Sequence, residues 1–210
     1  MKRRSAQHLV GVLALLPILA ACGGGSAPPP EPGTSTGFAP NLDGRRVILL
    51  PVQQVMGVPG DPSAELAFAL TDRGQDVDWI PWSEVDDALA RSPALDANTR
   101  DLPVGLFAQA EVERVGDPLF GQLRRMAGLV DADLILLPVS ATWEPNPAVV
   151  DATPRVRFTV ALIVPRTGRV MWYGLEEGED YPRDDPRALA SAAERLAQTL
   201  LWYVSSGDDV

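Results

Sequence analysis

Between Gly23 and Pro40, 14 of 18 residues are Gly, Pro, Ser or Thr, with Pro28-Pro29-Pro30 in the middle. A stretch so poor in large apolar side chains has nothing to build a core from, so it reads as a tether. At about 3.3 Å per residue its contour reaches at most about 60 Å. Folding is thereby confined to residues 41–204, ahead of a short acidic tail at 205–210. The chain as a whole is 46% hydrophobic and 22% charged, ordinary for a globular protein. The length left supports one core and is too short for two large domains.

Within residues 41–204 the apolar pattern alternates between strand and helix signals. Arg46 to Val52 is a short continuous apolar run, suited to a strand buried on both faces. Gln53 to Gly60 reads as a loop. Asp61-Pro62 supplies an N-cap and a first-turn proline for a helix through Arg73 that Gly74 closes. Val77 to Ile80 is a short strand, and Ser83 with Asp86 resembles a capping box for a helix to about Arg91. Ser92 to Gly116 has no clear period. Asp117-Pro118 repeats the cap-and-proline signal, and Leu119, Leu123, Met126 and Val130 mark one helical face. Leu134 to Thr142 reads as a central strand, and Val156 to Val164 as an alternating, half-buried one. Pro165-Arg166-Thr167-Gly168 turns the chain into Arg169 to Glu176, its hairpin partner. Asp185-Pro186 starts a last helix lined by Leu189, Ala193, Leu196, Leu200 and Tyr203. The order β-α-β-α-α-β-β-β-α predicts the α/β class: one compact domain with a mixed five-stranded sheet and helices packed on it.

The N-terminus fixes the compartment. Lys2, Arg3 and Arg4 precede a 12-residue apolar run from Leu9 to Ala20, too short to cross a bilayer and suited to a secretory signal of residues 1–21. Leu19-Ala20-Ala21-Cys22 resembles the lipobox of bacterial lipoproteins. That resemblance implies cleavage before Cys22, acylation of its thiol and new amino group, and residues 22–40 as a lipidated cysteine with its tether. Several acyl chains make a stable membrane anchor. Gly23, in place of an acidic retention residue, points to the outer membrane facing the periplasm.

Cleavage there changes the chemical inventory. Lys2 is the one lysine, His8 the one histidine and Cys22 the one cysteine. The mature chain then has no neutral-range base and no free thiol, so Ser-His-Asp, Cys-His and Ser-Lys catalysis are excluded, as are a P-loop and a His/Cys zinc site. Its 15 arginines against 28 acids give a net charge of −13, which argues against nucleic acid as a partner. Carboxylate-based glycosidase chemistry is what survives, as a distant third reading. The densest acidic run, Glu176-Glu177-Gly178-Glu179-Asp180 with Asp184-Asp185, lacks the spacing of a calcium loop and reads as a solvated loop. No cofactor and no catalytic residue are expected.

Three segments carry a family resemblance: Val47-Ile48-Leu49-Leu50-Pro51, Ala132-Asp133-Leu134-Ile135-Leu136-Leu137-Pro138, and Arg166-Thr167-Gly168-Arg169-Val170-Met171-Trp172. On a lipid tether, they resemble a group of bacterial envelope proteins with a small α/β domain. The group includes the curli-secretion lipoprotein, the lipoprotein activator of penicillin-binding proteins and the amino-terminal domain of the Tol-system propeller protein. The resemblance implies a non-catalytic module that docks a protein partner or assembles with itself. Trp143-Glu144-Pro145-Asn146-Pro147 combines an aromatic, an acid and rigid prolines at a strand exit, and Trp82 sits at another. Trp82, Trp143, Glu144 and Asn146 are therefore the candidate partner-binding residues. Loop tryptophans that stack on cell-wall glycan are the alternative, and a tryptophan lid over the sheet end is the purely structural reading of Trp143.

Overall fold

The structure is a computed structural model that describes residues 39–108, 112–146 and 149–201. Cys22, the tether as far as residue 38, Pro147, Trp202, Tyr203 and the acidic tail lie outside the described residues, and Ala39, expected in the tether, is buried in the core. The sheet has six strands rather than five. β1 (Arg46–Leu49), β3 (Asp78–Pro81) and β4 (Leu134–Glu144) run parallel in the order β3-β1-β4, and β5 (Arg155–Val164) and β6 (Arg169–Glu177) follow antiparallel. The added strand is β2 (Gln54–Met56), which lies parallel to β4 through Gln54–Ser140, Val55–Ala141 and Met56–Thr142. β1 and β2 share one edge of β4, β1 at its start and β2 near its end. The run expected as one strand to Val52 is therefore broken after Leu49.

Helices cover both faces. α1 (Pro62–Arg73) and α4 (Pro186–Leu200) pack on one face, with Leu66, Leu70, Leu189, Ala193, Leu196 and Leu200 over Val47, Leu136 and Phe158. α2 (Trp82–Ala90), a 3-10 turn (Val104–Ala108) and α3 (Leu119–Val130) pack on the other, with Val85, Phe107, Leu119, Leu123 and Met126 over Ile48, Ile135 and Ile163. β5 is thus covered on both sides along most of its length, not half-buried, because these two layers meet it from opposite faces.

The cap signals are realised unevenly. Asp61 accepts from Ser63 and Ala64 N–H, and Asp185 from Arg187 N–H, both ahead of a first-turn proline. The Ser83–Asp86 box does not form: α2 starts after Pro81 without a side-chain cap, and Asp86 instead accepts from the Thr99 hydroxyl at 2.6 Å. α3 begins at Leu119, and Asp117 accepts from Gly121 N–H at 3.0 Å. The Ser92–Gly116 stretch earns its place through Thr99, Leu102, Val104, Phe107 and Val115, all buried. A single antiparallel bridge ties Arg114 to Arg169 at the edge of β6.

A bulge between Pro138 and Ser140 changes which side of β4 faces which layer. Ile135, Leu137 and Val139 face α2 and α3, whereas Ala141 and Trp143 face α1 and α4. The extra residue reverses the alternation, as a bulge does. Ser140, Thr142 and Glu144 consequently point to the side of α2 and α3, beyond the reach of those helices.

Candidate functional site

The two ends of the sheet differ. At the lower end, where β1, β3 and β4 begin, Pro40 and Asn41 line a cleft with Arg45, Asp133, Pro165 and Arg166. Leu201 reaches the same end, beside Gly74. The described chain therefore both enters and leaves at the lower end. The upper end carries the finish of β4, β2, the start of β5 and the finish of β6.

Four of the five large hydrophobic side chains that stay exposed among the described residues lie at the upper end: Val55 at 49%, Met56 at 53%, Val149 at 54% and Val150 at 90%. Single exposed apolar residues are ordinary, but their concentration at one end makes that end the candidate docking surface. Gly57 turns the chain after β2 at φ +72°, a conformation that disfavours any residue with a Cβ. The Arg183 guanidinium donates twice to the Gly57 carbonyl, at 2.7 and 3.0 Å. A cleft of about 390 Å³ opens beside this turn between the first turns of α1 and α4, lined by Pro59, Leu189, Asp61, Glu65, Asp184 and Asp185.

On the side facing away from α1 and α4, Arg157 forms the centre of a charged cluster. It is 7% exposed. Its guanidinium lies 3.4 Å from Glu144 and 3.2 Å from Glu177, and donates to the Pro145 carbonyl at 2.7 Å. The Thr142 hydroxyl donates to the same Glu144 oxygen at 3.0 Å. Glu176 and Glu177 belong to β6 and are half-buried, so the first part of the acidic run is strand rather than solvated loop. At the start of α4, the Arg187 side chain bonds Asp185 and lowers the pKa of that carboxyl, while Arg187 itself is raised by the same bond. The Tyr181 hydroxyl donates to Glu179, which raises the phenol's pKa. Arg187 also stacks over the Tyr181 ring at 4.7 Å.

The residues singled out in the sequence do not form one constellation. Trp143 and Glu144 are the last two residues of β4 rather than loop residues, and they point to opposite faces. Trp143 is half-buried against the core under α1 and α4. Asn146 is half-buried and its carbonyl accepts from Val149 N–H at 3.1 Å. Trp82 opens α2, in the opposite helical layer, after β3, which is separated from β4 by β1. The two tryptophans therefore do not share a face on which a sugar could stack. Trp79 and Trp172 are structural: Trp79 donates to the Gly74 carbonyl at 2.9 Å, and Trp172 is fully buried. Sequence reasoning missed β2, Val149, Val150 and Arg157, of which only the Val149-Val150 pair in a proline-rich loop gave a readable signal.

Among the described residues there is no group of three or more metal-ligating side chains, and no helix is long and apolar enough to cross a membrane. No protein-family model and no curated relative matches the chain. Solved structures show partial likeness to it. The LpoB C-terminal domain from Escherichia coli is 17% identical, covering 69% of this chain and 90% of that one, with a TM-score of 0.44. The lipoprotein GNA1162 from Neisseria meningitidis is 13% identical over 77% and 98% of the two chains, with a TM-score of 0.41. A PelC dodecamer from Paraburkholderia phytofirmans is 18% identical over 80% and 92%, with a TM-score of 0.39. The functional reading rests on this chain's own surface.

Proposed function

We propose that this chain is a lipid-anchored accessory protein of the bacterial cell envelope, non-catalytic, which docks a protein partner through the upper end of its sheet. The observation that carries the reading is the gathering of Val55, Met56, Val149 and Val150, near the acid-lined cleft of Asp61, Glu65, Asp184 and Asp185, at the end opposite the chain's entry and exit. Cys22 is the acylation site at the outer membrane and the tether a spacer of up to about 60 Å that joins the domain at its lower end, so the attachment does not obstruct the upper end. Residues 39–201 contain no lysine, histidine or cysteine, which supports a binding role over acid-base or nucleophilic catalysis.

The test is photo-crosslinking in the native envelope with the reactive side chain at position 150, the most exposed apolar position. The expected result is an adduct with one defined envelope protein, lost when Val55 and Met56 are both changed to Asp in the crosslinking chain. Adducts with glycan, or with other copies of this chain alone, overturn the reading.

A further inference from the structure

We propose that what docks is an extended, basic segment of a partner protein, added as a new strand along the outer edge of β2. This rests on the docking reading above and names its occupant. β2 pairs with β4 on one side only, and among the described residues no backbone hydrogen bond joins Gln54, Val55 or Met56 to a segment other than β4. All three residues are exposed. An edge strand with its N–H and C=O groups unpaired is a template for another strand, and natural chains usually blunt it with lysine, proline or a covering loop. β2 has none of these within it.

The edge is nevertheless braced at both ends. Before it, the Gln53 side-chain amide donates to the Pro51 and Thr99 carbonyls at 2.7 and 3.0 Å and accepts from Leu102 N–H at 3.0 Å. After it, Arg183 holds the Gly57 carbonyl. A strand held straight without being covered loses little freedom when another strand joins it, which favours association. Val55 and Met56, adjacent on a strand, offer one apolar contact on each face for alternate side chains of the incoming segment.

Charge selects the occupant. Asp61, Glu65, Asp184 and Asp185 line the cleft beside the turn that ends β2, against two cations there, Arg183, which keeps its charge on the Gly57 carbonyl, and Arg187, paired with Asp185. The surplus is negative, so a segment bearing Lys or Arg is attracted and an acidic one repelled. The chain's own termini do not meet this need. Residues 22–40 and 202–210 contain no basic side chain, and both leave from the lower end. A second copy, with the same surplus of acids, repels the site as well.

The experiment selects random ten-residue peptides displayed against the immobilised full mature chain. Enrichment of sequences alternating apolar residues with Lys or Arg is expected, and the selected peptide should slow amide exchange at residues 54–57. N-methylation of alternate peptide nitrogens should weaken binding about tenfold or more in one register and hardly at all in the other, a signature that side-chain contact alone does not produce. Enrichment of helix-period or acidic sequences, no enrichment over blank support, or equal effects of both registers overturns strand addition. A position-150 protein adduct together with any of those outcomes leaves docking standing and removes only the strand. Absence of both adduct and enrichment removes both.

Discussion

Replacing Arg157 by Ala tests whether the polar end of the sheet is held by the cluster described above. The side chain is 8% exposed and carries a charged hydrogen bond to the Pro145 carbonyl, worth about 1.5–3 kcal/mol. Glu144, half-exposed, adds about 0.5 kcal/mol, and the better-buried Glu177 about 1 kcal/mol. The buried stem adds about 2 kcal/mol at roughly 0.8 kcal/mol per methylene. Against this stands the cost of desolvating the guanidinium, which the variant no longer bears. The net expectation is a loss of about 3 kcal/mol for Arg157→Ala. Arg157→Met keeps the stem and should lose only about 1 kcal/mol. With an m-value of about 2 kcal/mol/M, the urea midpoint followed by tryptophan fluorescence falls about 1.5 M for Ala and about 0.5 M for Met. A midpoint for the Ala variant within about 0.2 M of the parent, or a Met variant less stable than Ala, would refute the argument.

Three further outcomes follow from the same geometry. A Cβ at Gly174 collides with the Trp172 ring, so Gly174→Ala should destabilise by about 2–3 kcal/mol in thermal or urea unfolding, and Trp172→Phe should relieve part of that loss in the double variant. The folded-state pKa of Asp185 is lowered by its bond to Arg187, so its contribution to stability is full above the ordinary carboxylate pKa and is lost as pH falls through the depressed folded value. In Asp185→Asn, an acid titration of the unfolding midpoint should lack that component; an unchanged titration removes the ion pair from the account. Cys22→Ala should leave the precursor unacylated and shift the protein from the detergent phase to the aqueous phase on phase separation, and unchanged partitioning excludes anchoring at that residue.

What the sequence showed and hid has physical causes. Asp61-Pro62 and Asp185-Pro186 announced two helices because cap and first-turn proline act locally, and the structure makes both caps. Ser83 and Asp86 had similar local chemistry, yet Thr99 and Arg100, distant in sequence, claim Asp86 instead. β2 was illegible because three exposed residues beside glycine and proline bury nothing, so their pairing with Ser140–Thr142 leaves no hydrophobic pattern. β5 showed its alternation, but the second face is covered by a layer drawn partly from Ser92–Gly116, a stretch without period. Trp143 and Glu144 looked like one site because they are adjacent, and strand geometry sends adjacent side chains to opposite faces. Arg157 gave no warning, since one arginine in an apolar strand declares itself only when Glu144 and Glu177 arrive from neighbouring strands.

The bulge at Val139 has a consequence for how such a chain can diversify. In an uninterrupted strand, one alternation governs every position, so a change of preference at one end is constrained by packing at the other. Resetting the phase midway divides the duties of β4: Leu134 to Val139 answer to both helical layers, whereas past the bulge Ala141 and Trp143 stay with α1 and α4 and Ser140, Thr142 and Glu144 turn to the other side of the upper end. Descendants of this chain can therefore rewrite positions 140, 142 and 144 while the core positions of both halves, and the foldability they secure, are inherited unchanged.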